Sequence, residues 1–89
     1  MLFMSIYSYD PEKRDKVIAR RLEKGLLFPK EVKVLGEWTR MGGGGVILCE
    51  TDDPKALSQA SLAWSDLLKS DIFPVLKTED VLSQAKAKK

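Results

Sequence analysis

A short β-rich run that stops at Asp-Pro and continues into an amphipathic helix occurs twice in this chain, at Asp10-Pro11 and again 43 residues later at Asp53-Pro54. In the first copy Leu2 to Tyr9 supplies the strand, Asp10 is suited to be the helix N-cap and Pro11 the first helical residue. Val17, Ile18, Arg21 and Leu22 then form a stripe at helical spacing that Gly25 can end. In the second copy Val46 to Thr51 is the strand, and Ala56, Leu57, Ala60, Ala63, Trp64, Leu67 and Leu68 mark the helix. Glu31 to Thr39 reads as a further strand, joined to the next by a Gly42 to Gly45 hairpin. Ile72 to Leu76 is the last strand, and Pro74 within it requires a sheet edge or a bulge, because proline has no N–H to give to a ladder.

The resulting order, βαββαβ, predicts an α+β fold of the ferredoxin-like plait type. This is a four-stranded antiparallel sheet with two helices on one face and the first and third strands in the centre. The domain spans 1–78; Thr78, Glu79 and Asp80 can open a short helix, and 79–89 reads as a short C-terminal helix or a loose basic tail. If the repeat offset carries through the strands, Met4 and Ile6 lie with Ile47 and Cys49 under the helices. Ser5 and Tyr7 then lie with Leu48 and Glu50 on the uncovered face, joined by Phe3, Tyr9 and Val46. That face is too apolar for water, which predicts a homodimer formed through the open sheet face.

At 89 residues the chain is one module. Its 15 Lys and Arg against 13 Asp and Glu leave a formal charge of +2, too little for a nucleic-acid footprint. The sequence has no histidine and a single cysteine, Cys49, which removes the commonest metal ligand, the default general base and any intrachain disulfide. No cofactor or metal is expected. No stretch reaches the ~20 apolar residues of a membrane span. The N-terminus lacks the pattern of a signal peptide, so the expected location is cytoplasmic.

Met1-Leu2-Phe3-Met4, the two Asp-Pro caps, Val34-Leu35-Gly36-Glu37-Trp38, the glycine run leading to Val46 to Glu50, and the stretch from Trp64-Ser65-Asp66 to Pro74-Val75, taken together, resemble the DUF3303 family. The resemblance extends to about Leu76. The family is similar to dimeric α+β barrels, in which two plaits set their open sheet faces together, so the resemblance implies that architecture and leaves activity open.

The candidate catalytic pair is Tyr7 with Glu50, which the repeat places on neighbouring central strands. A phenol beside a carboxylate in a dry cavity can orient a substrate or move a proton, and the same pair can equally serve structure, with Glu50 accepting the Tyr7 hydroxyl or meeting a lysine at the rim. Trp38, set across from Val46, is expected on the open face with Val34, as a pocket wall or a dimer anchor. Ser5, Tyr7, Trp38, Leu48 and Glu50 thus make up the candidate ligand site, with Ser5 or backbone N–H groups as the polar stabilisers and Glu37 as a further proton-transfer group. Trp64 and Cys49 read as core. The glycine run lacks the Gly-Lys-Ser/Thr ending of a phosphate cradle and reads as a turn. Arg14, Lys16, Arg20 and Arg21, interleaved with acids, read as a solvated helix face.

Three functions are open to such a chain. The first is binding of a small apolar or aromatic molecule in a cavity between the paired sheets. The second is a structural or regulatory interaction module with a filled interface, and the third is a cofactor-independent isomerase or monooxygenase-like enzyme. RNA binding through aromatic residues on the first and third strands is disfavoured, because the third strand offers Val46, Leu48 and Glu50 where stacking aromatics are needed.

Overall fold

A computed structural model describes residues 1–87, so Lys88 and Lys89, the end of the expected basic tail, lie outside the described residues. The strands are β1 (Leu2–Ser8), β2 (Lys33–Thr39), β3 (Gly45–Glu50) and β4 (Lys69–Val75), and the helices are α1 (Arg14–Lys24), α2 (Pro54–Trp64) and α3 (Thr78–Ala87). All three pairings are antiparallel, in the order β2-β3-β1-β4, so β1 and β3 are central and the fold is the expected plait. Pro74 lies on the edge strand β4, where its missing N–H leaves no ladder bond unmade. No helix among the described residues is long and apolar enough to cross a membrane.

The two Asp-Pro segments are not equivalent. Asp53 caps α2, its carboxylate accepting the Lys55 N–H at 3.1 Å. Asp10 makes no side-chain cap; a 3-10 turn over Pro11–Lys13 intervenes before α1 begins. The strands are out of step with the caps by one residue as well. Phe3, Ser5 and Tyr7 pair across from Cys49, Ile47 and Gly45 and face the helices, whereas Leu2, Met4 and Ile6 pair with Glu50, Leu48 and Val46 on the open face. The expected facing of β3 is therefore correct and that of β1 is reversed. The last inward residue of β1, Tyr7, stands three positions before Asp10, and its counterpart Cys49 stands four before Asp53. One extra connector residue turns every side chain of the strand over.

Phe3, Val32, Ile47, Cys49, Ala56 and Leu57 form the main core between the sheet and α2. Burying side chains such as Ile47 and Leu57 contributes roughly 1.5–3 kcal/mol each. Cys49 is fully buried, which pushes its thiol pKa up and leaves it as packing. A second cluster of Val17, Trp64 and Leu67, with Tyr9 against it, joins α1 to the end of α2.

Candidate functional site

Helix α1 buries only Val17; Ile18 and Leu22, on the same apolar stripe, remain 46% and 84% exposed. Beyond the Val17 cluster, α1 is held by two adjacent arginines that diverge around the helix, each holding a carboxylate with both arms. Arg20 meets Asp66 at 2.8 and 2.7 Å, donates to the Ala63 carbonyl at 3.1 Å and lies 5.3 Å from the centre of the Trp64 ring. The Arg20 hydrogen bonds hold the Asp66 carboxyl down at about 2. Arg21, on the other flank, grips both oxygens of Glu37 on β2.

Between α1, α2 and the sheet this leaves a cleft of about 390 Å³, within the range of small-molecule sites. Val17, Leu26, Phe28, Ile47, Trp64 and Ile72 are among its apolar walls. The indole N–H of Trp64 is spent on the Leu26 carbonyl at 2.8 Å, so that wall presents only ring carbon. Tyr7, Glu37 and Arg21 make the polar corner. The Tyr7 hydroxyl donates to Glu37 Oε2 at 3.1 Å. Ser5, only 5% exposed, also lines the cleft.

Local sequence accounts for that corner. Tyr7 is paired with Gly45, and a Cβ at 45 would come within 2.6 Å of the Tyr7 hydroxyl, so the glycine makes room for the phenol. Glu37 faces inward because of a bulge. Val34 pairs with Cys49, but after the irregularity between Val34 and Gly36, Glu37 pairs with Ile47 and Trp38 with Val46. Without the extra residue the alternation would turn Glu37 outward and Trp38 inward. The bulge also separates Val34 from Trp38, which were expected to share a face.

The charges at the corner are fixed. Hydrogen bonds from Arg21 hold Glu37 below its ordinary 4.5, against the opposing effect of partial burial. Burial first, and the Glu37 charge second, push Tyr7 up to about 12. At neutral pH the corner is a guanidinium, a carboxylate and a neutral phenol, and neither Glu37 nor Tyr7 is poised to exchange a proton.

The structure divides the residues expected to form one site. Tyr7 and Ser5 line the cleft under the helices. Trp38, Leu48 and Glu50 lie on the opposite face, with Trp38 59% exposed and Glu50 exposed across from Lys33. Tyr7 and Glu50 therefore do not meet, and the carboxylate beside Tyr7 is Glu37. Phe3 and Tyr9, also expected on the open face, belong to the two cores. Arg21, expected on a solvated helix face, instead lies on the stripe with Val17, Ile18 and Leu22, and that place on the apolar face is the sequence signal for its turning toward the sheet and pairing with Glu37. The glycine run forms a tight turn, Gly42, Gly43 and Gly44 all having positive φ. Among the described residues no group of three or more Cys, Asp or Glu side chains is placed to hold a metal ion.

The family described as "Domain of unknown function (DUF3303)" matches residues 1–89, the whole chain, and the protein belongs to that family. No curated protein matches the chain.

Proposed function

We propose that this DUF3303 protein binds a small apolar or aromatic molecule, and that the binding site is the cleft between its helices and its sheet. The observation that carries this reading is the unfilled apolar stripe of α1. Ile18 and Leu22 line the cleft but stay exposed, and an apolar guest would bury them. Binding is favoured over catalysis because the Tyr7–Glu37–Arg21 corner offers hydrogen bonds without a proton to trade near neutrality. The test is a titration with 1-naphthol, read by the emission of Trp64 in Trp38→Phe, where Trp64 is the only indole left. Saturable quenching that disappears in Ser61→Phe, which fills the cleft from α2, is the expected result. No saturable response in the parent variant overturns the reading.

A second reading concerns the other sheet face, where Met4, Ile6, Val46 and Leu48 are flanked by Trp38 and Phe73. A second copy set against this face would remove a contiguous apolar surface from water and give the homodimer expected from the sequence. Sedimentation equilibrium at micromolar concentration tests it: a dimer that Leu48→Lys dissociates supports it, and a monomer at all concentrations rejects it.

A further inference from the structure

We infer that the cleft selects ligands whose head group is uncharged, such as an alcohol or a phenol, over the carboxylate or ammonium of the same skeleton. This rests on the cleft being a binding site and specifies what it accepts. The walls are apolar and the only charged groups among its lining residues are Arg21 and Glu37, which neutralise each other through paired hydrogen bonds. A carboxylate head reaching Arg21 meets Glu37 already on it, and both groups carry the same charge. An ammonium head reaching Glu37 meets Arg21 and a carboxylate whose Oε2 already accepts from both Arg21 and Tyr7. Either ion must also shed its hydration on entering an apolar cleft, and it finds no unpaired counter-charge there.

A neutral hydroxyl meets none of these obstacles. Arg21 has five N–H donors, and among the described residues only Glu37 accepts from it. The Tyr7 oxygen, which donates its proton to Glu37, keeps lone pairs that can accept a proton from the guest. A hydroxyl donates and accepts at once, so it can satisfy the corner on both sides while its chain or ring lies against Trp64, Phe28 and Ile47.

The experiment is isothermal titration of the full chain at neutral pH with octanol, octanoate and octylamine, which share a skeleton and differ in head charge. Octanol is expected to bind, with octanoate and octylamine each at least about tenfold weaker, a ratio set by like-charge contact and lost hydration. In Glu37→Gln the carboxylate is gone and Arg21 is left with a neutral partner, so the order should invert, octanoate becoming the tightest of the three. A generally loosened cleft would weaken all three together and would not invert them. Octanoate binding the native chain as tightly as octanol, or an unchanged order in Glu37→Gln, overturns the selectivity while leaving the binding site standing. Failure of octanol while 1-naphthol still binds overturns the selectivity alone, and failure of 1-naphthol overturns both.

Discussion

The Arg21 guanidinium holds both carboxylate oxygens of Glu37, so the last turn of α1 is tied to the edge strand β2 at the polar corner of the cleft. The same carboxylate accepts the Tyr7 hydroxyl from β1, and three elements meet on one side chain. Arg20, the preceding residue, ties the opposite flank of α1 to Asp66. Val17 is the only buried residue of α1, and these contacts add to the packing that attaches it.

Removing Glu37 should therefore loosen α1 more than it loosens the sheet. Exposed ion pairs contribute about 0–1 kcal/mol, but Glu37 is half-buried and its loss removes the acceptor of both Arg21 and Tyr7. Glu37→Ala is expected to cost about 2 kcal/mol in a denaturant titration. Hydrogen exchange should show faster exchange of the α1 amides and little change in β1 and β3.

Tyr7 sets an alkaline limit. Its hydroxyl is favoured in the neutral form on folding, with a pKa moved from 10.0 to about 12. The stabilisation this represents is complete below pH 10 and is lost as pH rises toward 12, because the unfolded chain releases the proton first. Native protein should show a phenolate absorbance step near pH 12 that is absent in Tyr7→Phe. Glu37 acts in the opposite direction: its depressed pKa contributes stability above its ordinary 4.5 that is lost as pH falls below it. Melting temperature should fall at both ends, and Tyr7→Phe should flatten the alkaline end.

The two Asp-Pro segments should respond differently to mutation. Asp53→Ala removes the acceptor for the Lys55 N–H and should cost about 1 kcal/mol by its denaturant midpoint. Asp10→Ala removes no cap bond and should stay within about 0.5 kcal/mol of the native chain.

Gly45 and Gly42 separate space from backbone conformation. At Gly45 a Cβ would sit 2.6 Å from both the Trp38 carbonyl oxygen and the Tyr7 hydroxyl, so Gly45→Ala should cost about 2 kcal/mol and shift the Tyr7 titration. At Gly42 there is open space but φ is +93°, and Gly42→Ala should cost about 1 kcal/mol of backbone strain and leave the Tyr7 titration unchanged.

The α+β plait was legible in the residues because its signals are local. Strand periodicity, the Asp-Pro punctuation, the helical stripes and Pro74 each act within a few residues, and together they dictated element order, central strands and the edge position of β4. Trp64 and Cys49 were legible as core for the same reason, each lying on a face already marked as apolar. The partner of Tyr7 was not legible. Two single-residue offsets decided it: the connector before Asp53 is one residue longer than that before Asp10, and the bulge after Val34 turns Glu37 inward. The period of a strand is two, so one inserted residue exchanges its faces completely while leaving its apolar content, and hence its sequence signal, unchanged. Composition and spacing thus determined which elements form and how they are ordered. Which carboxylate stands beside Tyr7, and that Arg21 neutralises it, was decided only where β1, β2 and α1 come together, because that depends on the register between segments distant in the chain.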